Sequence, residues 1–232
     1  MNKYLFGFVS AMVILALLVT GCTKDGYKND GGVSQAEVNM TTYDYLKSNS
    51  QFSQLVYLID KAGLQDKFNG NVTLFAVNNY GVNDWVSAKK EEKVLAENDE
   101  NITFTIDSIP VSVYKDSLLM YLFNGKITRD SMTTSGKLYN SLMGTITNVQ
   151  FLIKLRRSYD YSGYLDYVDY VTFTKVVGTR DDLEDDATVI PEAQKDVAVD
   201  VQTSGIITTN GVVHVLSGGH RLFFNTQPMA DN

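Results

Sequence analysis

His214 and His220 are the only imidazoles in the chain, and Cys22 is its only thiol. Acid–base, nucleophilic and metal chemistry all draw on such side chains, so the catalytic options are few. His214 stands in the run Val212-Val213-His214-Val215-Leu216, apolar on both sides. Two roles suit it: a catalytic base or ligand, or a core histidine whose ring bonds to backbone or a nearby turn. The apolar flanks, and the lack of an acid–base partner at a fixed spacing, favour the core role. His220 follows Gly218-Gly219 and is expected in a solvated turn. Two histidines without further ligands do not make a metal site. The chain has no Gly-x-Ser-x-Gly elbow, Walker loop, His-Glu-x-x-His helix or dinucleotide glycine pattern. The expectation is a protein without catalysis, metal or cofactor.

The block Asp181-Asp182-Leu183-Glu184-Asp185-Asp186 offers clustered carboxylates, which calcium prefers. It lacks the alternating ligands and mid-loop glycine of an EF-hand, so it reads more simply as a solvated loop of mutually repelling charges. The segment Tyr159-Asp160-Tyr161-Ser162-Gly163-Tyr164-Leu165-Asp166-Tyr167-Val168-Asp169-Tyr170 has the most unusual composition. Tyrosine beside aspartate suits a glycan: the ring stacks on the sugar face and the carboxylate accepts hydroxyl hydrogen bonds. It also suits a protein-binding surface, or a pair of ordinary strands in which tyrosine is simply a good β-former. On the binding readings, Tyr161, Tyr164 and Tyr167 are the candidate contacts.

The elements that hold these residues follow from periodicity and turn chemistry. Thr41-Thr42 can cap a short helix through Leu46. A second helix from Ser50 carries Phe52, Leu55, Val56, Ile59 and Ala62 on one face, with Gly63 as its left-handed stop. Residues 72–77 read as a buried strand with Asn78-Asn79 as its turn, and Asn83-Asp84 as the cap of a helix beyond. Residues 98–113 read as an insertion with some strand, and 117–123 as a short helix ended by Gly125. Strands are expected over 138–143, 145–155, 164–177, 197–201 and 221–224, with a polar loop over 178–196. Arg156-Arg157 should mark one exit to solvent. Thr209-Asn210-Gly211 between β-branched runs is a strong hairpin signal, because Asn and Gly both tolerate positive φ.

The 232 residues, 44% of them hydrophobic, suffice for one sizeable core. A formal net charge of −7 with no basic stripe argues against nucleic acid as a partner. A lone cysteine excludes an internal disulfide and a cysteine-rich zinc site. Lys3 followed by an apolar run over 5–19 is short for a membrane span, for which about 20 residues are needed, and matches a signal peptide. Its end, Leu18-Val19-Thr20-Gly21-Cys22, resembles a bacterial lipobox, which implies acylation of Cys22. Thr23 in place of Asp then implies the outer membrane, and Lys24-Asp25 resembles a surface-display tag of Bacteroidetes-type lipoproteins. Residues 23–40, polar and aperiodic, are expected to be a flexible tether.

Two motifs together resemble a fasciclin domain: Thr73-Leu74-Phe75-Ala76, followed by a turn containing Asn79, and Asn210-Gly211 leading through Val212-Val213 to His214. The helical hairpin before the first motif matches as well. The chain departs from the family at Tyr80, where the usual Asp is absent, and at Tyr121-Leu122, where the family often has Tyr-His. The resemblance implies an α+β fold, a wedge or sandwich of two antiparallel sheets with helices packed around one edge. It implies that the two motifs pair as the spine of that fold and that His214 is structural. The expected organisation is a signal peptide over 1–21, a tether over 22–40, a fasciclin-like domain over 41–224 and a tail over 225–232. The implied role is a lipid-anchored envelope module for recognition or cell adhesion, with an extracellular protein or glycan as ligand. The alternative is an accessory glycan-binding lipoprotein of a polysaccharide-uptake system.

Overall fold

The computed structural model describes residues 37–143 and 149–224. Cys22 and the lipobox, residues 23–36 of the tether, the 225–232 tail and residues 145–148 of one expected strand lie outside them. Helices come first. Helix α1 (Thr42–Ser48) is capped by Thr41, whose side chain accepts the Asp44 N–H. A 3-10 turn, Ser50–Phe52, leads into α2 (Ser53–Ala62), which buries Leu55, Leu58, Ile59 and Ala62. Gly63, at φ 64°, ends α2. The Gly63 and Leu64 N–H groups close onto the Asp60 and Ile59 carbonyls, and buried Leu64 seals the turn. After α3 (Gln65–Phe68) comes β1 (Val72–Ala76), every residue of which is buried.

Helix α4 (Asn79–Glu97) begins earlier than the Asn83-Asp84 signal suggests. Asn78 takes the cap, its Oδ1 accepting the Tyr80 and Gly81 N–H groups at 3.1 and 3.3 Å. Asp84 therefore lies inside α4, where it pairs with Arg221 at 2.7 Å. The expected strand within 98–113 is instead a 3-10 turn (Ile106–Ser108) and the short helix α5 (Val111–Tyr114). The expected helix over 117–123 is a 3-10 segment, Ser117–Tyr121, that opens directly into β2 (Leu122–Asn124).

Strands β3 (Lys137–Asn140), β4 (Gln150–Ser158), β5 (Val168–Val176), β6 (Val197–Ile207) and β7 (Gly211–Leu216) follow. Helices then strands make an α+β chain, as expected. The sheet departs from expectation: one seven-stranded sheet runs in the order β2-β1-β7-β6-β5-β4-β3, not two antiparallel sheets. Its spine, β1 against β7, is parallel, pairing Thr73 with Val212 and Phe75 with His214. The eleven-residue β6 keeps the sheet continuous, pairing with β5 over its first half and β7 over its second, with register shifts at Val201, Thr203 and Ile206. Gly211 is required at the spine, since a Cβ there would meet the Val72 carbonyl oxygen at 2.2 Å.

The sheet rolls up. Phe75 on β1 and Phe173 on β5 are separated by two strands, yet their rings stack at 4.4 Å, and Phe151 on β4 stacks on Phe173 at 4.8 Å. Beyond β3, the Leu142 N–H donates to the Leu122 carbonyl of β2 at 2.7 Å, so the two ends of the sheet meet. Residues 38–40, assigned to the tether by composition, join this framework: the Val38 N–H donates to Ile207 O, and the Thr209 N–H donates to Met40 O. The last expected strand, 221–224, is a 3-10 turn (Leu222–Phe224). Phe223 and Phe224 have φ of 65° and 51°, which no strand accommodates.

Candidate recognition surface

Strands β4 and β5 form a long ribbon in register from Gln150↔Val176 to Ser158↔Val168, so residues 159–167 are the loop at its end. The loop is folded on itself. Ser162 N–H donates to Tyr159 O, and the Tyr164 and Leu165 N–H groups donate to Tyr161 O. At the exit from β4, Ser158 Oγ bonds Asp160 Oδ2 at 2.6 Å and accepts the Asp160 N–H. This turn holds the aromatic side chains outward. Tyr159, Tyr161, Tyr164 and Tyr167 are 62%, 53%, 89% and 44% exposed. Among the described residues nothing hydrogen-bonds their four hydroxyls or the Asp166 carboxylate.

Below the loop is a rigid support. Arg157 donates twice to Asp169, Nε to Oδ1 and Nη2 to Oδ2, both at 2.9 Å. The Arg157 hydrogen bond holds the Asp169 carboxyl below the usual carboxylate range and raises the guanidinium in turn. The same guanidinium lies over the Tyr167 ring at 3.5 Å from its centroid. Arg129 braces the other side, donating from Nη2 to the Asp169 carbonyl. Arg156 and Arg157 are both exposed at the end of β4, the expected exit to solvent, and Arg157 there also orders the ring of Tyr167 in the loop. Arg156 pairs with Asp200 at 2.9 Å and lies over Tyr170.

Both histidines serve the core. His214 is fully buried; its Nε2–H donates to Ile127 O at 2.9 Å and its Nδ1 accepts the Gly205 N–H at 3.2 Å, which fixes the tautomer. Burial pushes its pKa down to about 4. His220, expected in solvent, is buried as well: Tyr121 OH accepts the Phe223 N–H at 2.7 Å and donates to His220 Nε2 at 2.8 Å. Desolvation lowers His220 to about 4 and raises the Tyr121 phenol. The physical reason is the Gly81 approach: with no side chain there, the His220 backbone packs directly against the first turn of α4. Tyr121 has no histidine beside it in sequence but finds one 99 residues away.

The acidic block is organised as well as solvated. Asp182 pairs with Arg180 and Lys154, which push its carboxyl down to about 2. Asp181 and Asp196 each accept the other's backbone N–H, clipping the 178–196 loop shut. Among the described residues, no group of three or more His, Cys, Asp or Glu side chains is placed to hold a metal.

No family model matches the chain. No curated protein matches it. Among solved structures it is similar to a FAS1 domain pair from the insect cell adhesion molecule fasciclin I, at 13% identity and a TM-score of 0.45, over 76% of this chain and 46% of that one. The chain thus spans about half the length of that solved chain.

The motif residues are framework. Thr73 Oγ1 donates to Gly125 O and accepts the Ile127 N–H, while Leu74, Phe75 and Ala76 are buried around it. Asn79 Oδ1 accepts the Gln54 N–H, and its Nδ2 reaches Ser50 O and Ser53 Oγ, joining α4 to α2. Asn210 accepts the Thr42 N–H and donates to Asn69 O and Gly70 O, fastening the β6–β7 turn to α1 and to the entry of β1. Four of the exposed tyrosines are gathered in the 159–167 loop. Its composition was visible in the sequence. The Arg157–Asp169 support was not, because that pair spans a strand register.

Proposed function

We propose that this chain is a non-catalytic recognition module of a bacterial cell envelope, of the fasciclin-like adhesion type. Acyl chains on Cys22 hold it in the outer membrane, and the 159–167 loop meets an extracellular ligand, protein or glycan. The observation that carries this reading is the exposure of four tyrosines on a loop whose backbone is hydrogen-bonded and whose base is braced by Arg157. Tyrosine offers a large amphipathic contact at low entropic cost, and a pre-ordered ring loses little freedom on binding. Against catalysis stands the use of both histidines as buried, neutral framework groups. Membrane anchoring would raise the effective concentration of weakly binding loops at a cell surface. Stable anchoring takes more than one acyl chain, which the lipobox chemistry supplies.

The test has two arms. Metabolic labelling with an alkyne fatty acid should tag the native chain and not Cys22→Ser. Cells displaying the Tyr161→Ala/Tyr164→Ala chain at native levels should adhere several-fold less to matrix-coated or glycan-coated surfaces. Undiminished adhesion by that variant would remove the loop from the recognition role.

A further inference from the structure

The chemistry of the loop selects among ligands, and we infer that its ligand is an uncharged polysaccharide, stacked on Tyr167 and Tyr164. This rests on the recognition role proposed above and names its partner. Tyr167 has one face covered by the Arg157 guanidinium at 3.5 Å and remains 44% exposed. The guanidinium that covers it is itself held by a bidentate pair to Asp169, which gives the ring a fixed backing. An aromatic face carries partial negative charge and attracts the polarised C–H groups of a pyranose ring. Tyr164, the most exposed of the four at 89%, belongs to the same 159–167 loop. Around them are polar atoms that no hydrogen bond among the described residues uses: four phenol hydroxyls, which donate and accept, and the Asp166 carboxylate, which accepts only. Sugar hydroxyls satisfy such a set.

The competing ligands fit less well. A stable protein interface needs roughly 800 Å² from each partner, or about 20–30 residues a side, far more than this loop provides. An anionic glycan or lipid headgroup would meet Asp160 and Asp166, with the Arg157 charge already neutralised by Asp169 and a chain of net charge −7 behind it. Leu165 is the loop's single aliphatic side chain and is half-buried, so there is no greasy wedge for a bilayer.

The test is native electrophoresis of the detergent-solubilised full chain through gels containing xyloglucan, glucomannan, mixed-linkage β-glucan, galactan or dextran, with polygalacturonate as the charged control. At least one neutral polysaccharide should retard the native chain. Tyr167→Ala and Tyr164→Ala should each weaken that retardation tenfold or more without changing the melting temperature. Tyr167→Phe, which keeps the stacking face, should retain most of the binding. Arg157→Lys, which keeps the charge and loses the flat fork, should weaken it several-fold. The inference is overturned if no neutral polysaccharide retards the chain, if polygalacturonate alone does so, or if the Tyr164→Ala/Tyr167→Ala double variant is retarded like the native chain. Loop-dependent adhesion to a protein-coated surface without retardation by any polysaccharide would sink the sugar ligand and leave the recognition role standing. Loop-independent adhesion would sink both.

Discussion

His214 and His220 are held neutral by burial, with pKa values of about 4 against an ordinary 6.5. The unfolded chain takes up protons between those values that the folded chain refuses. Stability is therefore complete above about pH 6.5 and drains as the pH falls toward 4. Each histidine contributes a slope of about 1.4 kcal/mol per pH unit inside that window. Urea midpoints should fall steadily from pH 7 to pH 5, and His220→Gln should roughly halve the fall; a midpoint flat to pH 5 would contradict the burial. Asp182, lowered from 3.8 to about 2, loses its contribution only below that window. Gly211 is the other residue on which a single atom decides the outcome. An added methyl would collide with backbone, which cannot swing aside as a side chain can, so Gly211→Ala should cost about 3 kcal/mol or more. For a chain of this size that is a fall of about 6–12 °C in melting temperature by calorimetry.

The helix that begins at Asn79 shows how an element's boundary is fixed. Asn78 and Asn83 are both plausible caps, and Asn78 prevails because its carboxamide meets two free N–H groups. Asn78→Ala should cost about 1 kcal/mol, up to about 2, in chemical denaturation. Asn83 lies inside the helix, so Asn83→Ala should be neutral or slightly stabilising by the same measurement. The reversed ranking would mean that α4 starts at the later signal. The β4–β5 loop behaves oppositely to such caps. Its outward rings leave the core unaltered, so Tyr161→Ala/Tyr164→Ala should shift the unfolding free energy by less than about 0.5 kcal/mol while impairing adhesion. Stability and the proposed recognition role are separable because the rings project from the solvated end of the ribbon, away from the core. The α1 cap, the glycine stop of α2, the β1 strand and the β6–β7 turn were legible in sequence, since each signal acts within one turn or one strand. The 3-10 turn at Leu222–Phe224 was not. Its aromatic residues read as strand formers, and only the left-handed backbone at Phe223 and Phe224 reveals the turn.

Across the whole molecule, the rolled sheet depends on one aromatic column through Phe75, Phe173 and Phe151. Phe173 touches both neighbours and Phe123 edge-on, so its removal opens a cavity that no single strand can fill. Phe173→Ala should cost about 3–5 kcal/mol, with a broadened thermal transition as the sheet loses closure. Surface pairs such as Lys93–Glu97 should matter little, and 0.5 M salt should move the melting temperature by no more than a degree or two. The sequence by itself determined which stretches are apolar on one face, that Gly63 ends a helix and Asn210-Gly211 turns a hairpin, and that tyrosine and aspartate crowd one segment. These are properties of neighbouring residues. Only the tertiary structure decided that the spine strands run parallel, that the sheet is one and closes on itself, that His220 leaves solvent for Tyr121, and that Arg157 fixes Tyr167 from beneath. Each of those depends on which distant segment arrives alongside, and the arrival is set by burial of a shared core that no local pattern encodes.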